Sequence, residues 1–154
     1  LELLVKAGCD VNRVNKDGTT SAHVAAQNGH TAALKVLVTA GCDTNLAAKN
    51  GYTPAIAAAQ NGQAAALEIL VKVPGCDVNQ ADKNGATLVL IAAQKGHTAA
   101  LELLVKAGCD VNQASKNGST PALVAAQQGQ TAALELLVKA GCDVNRMRRE
   151  PGDE

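Results

Sequence analysis

Gly141-Cys142-Asp143-Val144-Asn145 is a phrase that the chain repeats. It stands again at 8–12, 75–79 and 108–112, and 41–45 differs only in carrying Thr44 in place of Val. The cysteines inside it, at 9, 42, 76, 109 and 142, are therefore spaced by 33, 34, 33 and 33 residues. Self-similarity at such a period marks a protein built from stacked repeats. Working outward from the phrase, the chain divides into a half repeat (1–12), four full repeats (13–45, 46–79, 80–112 and 113–145) and a charged tail, 146–154. The one extra residue falls near Val73-Pro74-Gly75, where the other repeats read Ala-Gly.

Punctuation inside a repeat is regular, and 113–145 shows it best. Lys116-Asn117-Gly118 is a tight-turn signal, because Asn-Gly tolerates the positive φ angles of a hairpin tip. Thr120 is placed to cap a helix, with Pro121 at its first position, where a missing N–H costs nothing. That short helix runs through Gln127 and stops before Gly129, a natural left-handed terminator. A second helix is expected from about Thr131 to Lys139, with Leu134, Leu137 and Val138 at i, i+3 and i+4 on one apolar face, and Gly141 ends it. No such unit buries its apolar face alone, so neighbours must stack into a continuous core. The pairs Ala25-Ala26, Ala58-Ala59, Ala92-Ala93 and Ala125-Ala126 recur in every first helix. Small side chains there let helices approach closely. Leucines of the second helix supply most of the hydrophobic volume.

Composition agrees with this plan. The 154 residues carry 14 basic and 14 acidic groups, so no net positive charge drives nonspecific binding to nucleic acid. Tyr52 is the only aromatic residue, and large rings cannot fill the interior. No apolar run approaches the roughly 18 residues of a membrane helix, and no signal peptide opens the sequence.

The period of 33, Thr-Pro at 53–54 and 120–121, the Ala-Ala pairs, Gly29-His30 and Gly96-His97, and the closing Asp-Val-Asn together resemble the ankyrin repeat over residues 1–145. The resemblance implies an all-α repeat solenoid of helix-turn-helix units joined by β-turn or hairpin tips. The family's Thr-Pro-Leu-His reads Thr20-Ser21-Ala22-His23, Thr53-Pro54-Ala55-Ile56, Thr87-Leu88-Val89-Leu90 and Thr120-Pro121-Ala122-Leu123. Only the first keeps the histidine, and apolar contact replaces its hydrogen bonds in the other three. Cys also stands where the family usually has Ala after Gly.

Chemistry finds little purchase. Equivalent positions on stacked repeats lie roughly 8–10 Å apart, beyond the Cα span of about 7 Å that a disulfide tolerates. No Cys-x-x-Cys occurs and no histidine lies within five residues of a cysteine, so metal-ligand spacing is absent. The cysteines read as reduced, buried structural thiols, which implies an intracellular, cytoplasmic setting. His30 and His97 occupy a loop slot that Gln63 and Gln130 fill elsewhere, and His23 sits in the Thr-x-x-His slot. No phosphate loop, nucleophile elbow or zinc-helix motif is present. The expectation is a non-enzyme without cofactor or metal. Glu2/Lys6, Glu68/Lys72, Glu102/Lys106 and Glu135/Lys139 are i, i+4 pairs, read as ion-paired support on a solvated outer face.

Partners of ankyrin-like proteins usually meet the turn tips and the inner face of the first helices. Mapped here, the tips are Lys16, Asp17 and Thr19; Lys49, Asn50 and Tyr52; Lys83, Asn84 and Ala86; and Lys116, Asn117 and Ser119. Helix ends add Gln60, Gln94, Lys95 and Gln127. Interface hot spots favour Tyr and Arg, so Tyr52 is the strongest single candidate for an anchor. Lys16, Lys49, Lys83 and Lys116 form a basic ladder, which leaves open a weak binder of nucleic acid or acidic partners. The near-identical repeats also leave open a designed or consensus-like scaffold, although designers avoid reduced cysteines and would not insert Pro74. Family resemblance adds hydroxylation of the Asp-Val-Asn asparagines as an option at Asn12, Asn45, Asn112 and Asn145, each with Leu eight residues upstream. The competing reading is hydrogen bonding to the turn backbone. The N-terminal half repeat lacks a polar cap, which points to a piece of a longer array or to end-to-end self-association.

Overall fold

The computed structural model describes residues 1–144, so Asn145 and the 146–154 tail, with the roles read for them above, lie outside the described residues. Helices account for all regular secondary structure described, and they fall into two compact units that divide between Val78 and Asn79. The first unit holds α1 (Glu2–Lys6), α2 (Ser21–Gln27), α3 (Thr31–Thr39), α4 (Pro54–Gln60) and α5 (Ala64–Val71). The second holds α6 (Leu88–Lys95), α7 (Thr98–Lys106), α8 (Pro121–Gln127) and α9 (Thr131–Lys139).

Each full repeat is one helix pair, and pairs stack like on like. In the first unit α2 packs on α4 and α3 on α5; in the second α6 packs on α8 and α7 on α9. Every first helix starts at a threonine in extended conformation, whose hydroxyl accepts the N–H three residues on: Thr20 from His23, Thr53 from Ile56, Thr87 from Leu90 and Thr120 from Leu123. Pro54 and Pro121 then take the first helical turn, where no N–H is required.

Second helices close in a common way. After α3, Gly41 N–H bonds the carbonyl of Val38 and Cys42 N–H that of Leu37, the paired reverse bonds of a Schellman stop. The extra residue changes this ending in α5, which stops at Val71. There Val73 N–H bonds Leu70 and Cys76 N–H bonds Val73. Pro74 explains the difference: it lacks an N–H and disfavours helical φ/ψ in the residue before it.

The core of the first unit is Leu34, Leu37, Ile56, Leu67 and Leu70, and that of the second is Leu88, Val89, Leu101, Leu104 and Leu137, all fully buried. Alanine closes the helix contacts in both, with Ala26, Ala59 and Ala93 completely covered. Among the second helices α5, α7 and α9 bury an alanine as well as leucine, at Ala66, Ala100 and Ala133. One expectation about the apolar face changes. In α9 it is Ala133 and Leu137 that are buried, at i and i+4, while Val138 is exposed.

Candidate partner-binding surface

The tips are built by backbone before side chains matter. Asn15 N–H and Thr19 C=O close the first tip (3.0 Å), and Asn15 Oδ1 accepts the N–H groups of Asp17 and Thr19. Three tips follow the same plan, closed by Ala48 with Tyr52, Asp82 with Ala86, and Ser115 with Ser119. A side-chain oxygen gathers the turn in each: Asn50 holds Tyr52, Asp82 holds Asn84 and Ala86, and Asn117 holds Ser119. Among the described residues only glycines adopt positive φ, so Asn50, Asn84 and Asn117 stay right-handed. The tip is therefore a right-handed turn followed by one left-handed glycine, not the hairpin turn with two positive φ angles that Asn-Gly suggested.

Neighbouring tips are tied to each other. Lys49 N–H donates to the Asp17 carbonyl in the first unit, and Lys116 N–H to the Asn84 carbonyl in the second, each at 2.9 Å. Glycine makes this approach possible. A Cβ on Gly85 would stand 2.9 Å from Lys116 N, and one on Gly18 would stand 3.2 Å from Lys49 N. Backbone thus sets Lys16 beside Lys49 and Lys83 beside Lys116, with all four side chains exposed. In the first unit the exposed Asp17 interrupts the positive edge. In the second the neighbours are Asn84 and Asn117, both exposed, with Lys95 exposed at the end of α6.

The remaining predicted positions divide by exposure. Gln94 and Gln127 are exposed; Thr19, Gln60, Ala86 and Ser119 are half-buried. Tyr52 is half-buried with its main chain committed, its N–H to Asn50 and its carbonyl to His23. That second bond comes from a residue the repeat pattern marked. His23 is buried; its Nδ1 accepts from Thr20 N–H at 3.1 Å and its Nε2–H donates to the Tyr52 carbonyl at 2.8 Å. These partners require the neutral ring protonated on Nε2. Burial lowers its pKa below the ordinary 6.5, against the pull of the Tyr52 and Leu46 backbone.

Sequence reasoning missed a second set of inter-repeat ties. Asn12 Oδ1 accepts Asp43 N–H (2.7 Å), Asn45 Oδ1 accepts Asp77 N–H (2.8 Å), and Asn112 Oδ1 accepts Asp143 N–H (2.7 Å). The asparagines of the repeated phrase do bond turn backbone, but that of the next repeat. Their spacing of 31–32 residues from the bonded N–H hides this from any local reading.

Outer-face charge pairs are fewer than the sequence suggested. Among the described residues one ion pair forms, Lys72 to Glu68 at 2.7 Å, and it is solvated. The ends of the other pairs stay apart, as expected where solvation offsets most of an exposed pair's attraction. The cysteines make no disulfide; Cys42 and Cys109 are buried, Cys76 and Cys142 half-buried, and Cys9 exposed. Burial, followed by the charge of the adjoining aspartate, raises the thiol pKa of Cys42 and Cys142. Burial also raises that of Cys76, opposed by a hydrogen bond with Thr44. Raised values keep these thiols protonated, which is the opposite of what a nucleophile or metal ligand needs. Among the described residues no three His, Cys, Asp or Glu side chains converge as a metal cluster would require, and no helix is long and apolar enough to cross a membrane.

The family model for ankyrin repeats (three copies) matches residues 1–82 and again 65–148. The chain belongs to the ankyrin-repeat family. No curated protein sequence matches it. Ankyrin repeats generally mediate protein–protein interaction and are typically non-catalytic. In the ankyrin frame, His23 is the one surviving histidine of the Thr-x-x-His signature, and Ile56, Leu90 and the half-buried Leu123 fill that slot with apolar contact.

Proposed function

We propose that this ankyrin-repeat chain is a non-catalytic scaffold that takes an acidic protein segment along its turn tips and the inner ends of its first helices. The observation that carries the reading is the backbone tie between tips, Lys49 N–H to Asp17 in the first unit and Lys116 N–H to Asn84 in the second, which presents exposed lysines on a preformed edge of each unit. A surface already ordered loses little conformational entropy on binding. Lys49, Lys83, Lys95 and Lys116 supply the charge, and Tyr52 the one aromatic contact. Residues 1–145 act in this reading as one interaction module and 146–154 as a charged tail. The unbridged thiols support a reducing, intracellular setting. Self-association through the apolar N-terminal end belongs to the same reading.

A lysate pull-down at moderate salt tests it, run beside the triple variant Lys49→Glu, Lys83→Glu, Lys116→Glu with helicity checked by circular dichroism. Proteins rich in acidic segments, held by the parent and lost by the variant, support the tip edge. Equal recovery by both moves the site off the tips. Nucleic acid in the parent eluate, released steeply with salt, replaces the protein partner with a polyanion.

A further inference from the structure

Five Asn-Gly pairs occur in the chain, at 28–29, 50–51, 61–62, 84–85 and 117–118. The dipeptide carries chemistry of its own, because a glycine without Cβ lets its amide nitrogen reach the asparagine side-chain carbonyl carbon. Four of the five side chains are held away from that reaction. Asn28 and Asn61 donate from Nδ2 to the carbonyls of Val24 and Ala57, at 2.9 and 2.8 Å. Asn50 Oδ1 accepts Tyr52 N–H at 2.9 Å, and Asn117 Oδ1 accepts Ser119 N–H at 3.0 Å and the Ser115 hydroxyl at 2.6 Å. Asn84 is exposed, and its side chain makes no hydrogen bond among the described residues.

The residue two places earlier makes the difference. At the four tips it is Asn15, Ala48, Asp82 and Ser115. Ala48 has no side-chain acceptor, so Asn50 gathers its turn. Ser115 spends its hydroxyl on Asn117 and leaves Ser119 N–H to it. Asp82 Oδ1 takes the N–H groups of both Asn84 (2.8 Å) and Ala86 (2.9 Å), so the turn has nothing left for Asn84 to hold. Local sequence does not separate the sites, since 49–51, 83–85 and 116–118 all read Lys-Asn-Gly. Nor does the glycine N–H, which bonds the same turn carbonyl at each tip: Gly51 to Ala48 at 2.8 Å, Gly85 to Asp82 at 3.0 Å and Gly118 to Ser115 at 2.9 Å.

We propose that Asn84 is a self-modification site, the Asn-Gly pair at which this chain cyclises and loses its side-chain amide, because Asp82 leaves it unheld. Gly85 N attacks Asn84 Cγ. The N–Cγ bond forms as Cγ–Nδ2 breaks, and ammonia leaves with the proton of the Gly85 amide. Water then opens the cyclic imide at either carbonyl, giving aspartate or isoaspartate at position 84. The fold already accepts an aspartate in this place. Asp17 fills it in the first tip, which still closes between Asn15 and Thr19 and receives Lys49 N–H on the Asp17 carbonyl. Isoaspartate changes more: the main chain then runs through Cβ and Cγ, and the former backbone carbonyl that accepts Lys116 N–H becomes a free carboxylate. Either product sets a negative charge beside Lys83 and Lys116, both exposed, on the edge of the second unit.

Ageing of the full chain at neutral pH tests the proposal, followed by cleavage after glutamate and mass spectrometry of fragments 3–68, 69–102 and 103–135. The middle fragment holds Asn84 as its one Asn-Gly. Electron-transfer fragmentation assigns each site and separates isoaspartate from aspartate. Amide loss at Asn84 is expected to run about fivefold faster than at each other pair, the factor carried by one hydrogen bond of ordinary net strength. In urea, where no turn holds any side chain, Asn50, Asn84 and Asn117 should react alike. Two reciprocal variants address the cause, each checked for unchanged circular dichroism. Asp82→Ala returns the turn to Asn84 and should slow it to the rate of Asn50. Ala48→Asp should release Asn50 and speed it to the rate of Asn84. Equal rates at the three tips of the folded chain overturn the proposal, as does a lead at Asn84 that persists in urea. Rates unmoved by both variants overturn it too. If a variant fails to fold, the wild-type comparison of folded chain with urea decides alone.

Discussion

Two repeats, one from each unit, fill the same architectural slot by different chemistry. In the first, His23 sits three residues after its cap and bonds Thr20 behind it and the Tyr52 carbonyl ahead, so a side chain joins one repeat to the tip of the next. In the second, Leu90 occupies the slot and contributes only burial. The backbone is indifferent: Thr20 and Thr87 cap their helices with nearly the same dihedrals. What the polar version adds is dependence on protonation, because a ring that must accept at Nδ1 and donate at Nε2 cannot carry a second proton and keep both bonds.

The strongest way to sharpen the comparison is to cut the same leucine in two settings. Leu104→Ala in the second unit is expected to cost about 2–5 kcal/mol, the range for a fully buried leucine that leaves a cavity. Leu4→Ala, within an identical stretch of the first unit, should change stability by no more than about 0.5 kcal/mol. Urea unfolding followed by circular dichroism measures both. Comparable losses would mean that α1 is packed as firmly as α7.

Next come the glycines. Gly8 and Gly85 both have positive φ, so alanine at either is strained by roughly 1–2 kcal/mol. Gly85→Ala must in addition push a Cβ against Lys116 N at 2.9 Å, whereas at Gly8 nothing lies within 4 Å. Gly85→Ala should therefore be the more damaging, and its unfolding midpoint the lower of the two.

A pH titration addresses His23 directly. The folded state holds this ring neutral below its ordinary pKa of 6.5, so the unfolded state takes up the proton first. Stability from this source is complete above the unfolded pKa and is lost as pH falls below it. Tyr52 is the sole aromatic and lies in the first unit, so its fluorescence reports on that unit alone. Its unfolding midpoint should fall between pH 7 and pH 5 in wild type, and this pH dependence should shrink in His23→Leu. An unchanged slope in the variant would place the proton uptake elsewhere. The smallest effect is expected at the outer face. Lys72→Met removes the solvated pair with Glu68 and should lower the unfolding midpoint only slightly, and Lys106→Met still less.

Much of this architecture was legible because its signals are local. A threonine three residues before an apolar or histidine side chain announces the starts of α2, α4, α6 and α8, and a glycine two residues after the last threonine or lysine announces the ends of α3, α7 and α9. The tip positions were equally readable, since Lys49 and Lys116 lie beside their own turn residues. The ties between repeats were not. Asn12 looks like a turn residue until Asp43 is beside it, and no spacing rule in one repeat reveals the pairing. Exposure of Val138 and Ala126 escaped for a related reason. Periodicity says which way a side chain points, while burial depends on whether another helix stands there. Charge pairing of Glu102 with Lys106 was likewise a statement about proximity, and solvation decided against it.

The bond from Lys49 N–H to the Asp17 carbonyl has a consequence for exchange with solvent. Lys49 has an exposed side chain, yet its amide is held between two tips, and the same is true of Lys116 on Asn84. Both amides open only when neighbouring repeats part, so their exchange with deuterium reports a collective opening, not the fraying of a single loop. Lys16, whose amide makes no hydrogen bond among the described residues, exchanges at the rate of an open turn. Three lysines that look alike from the solvent would then be separated by a deuterium clock, two slow and one fast, and the slow pair would time the breathing of each unit from its outermost edge.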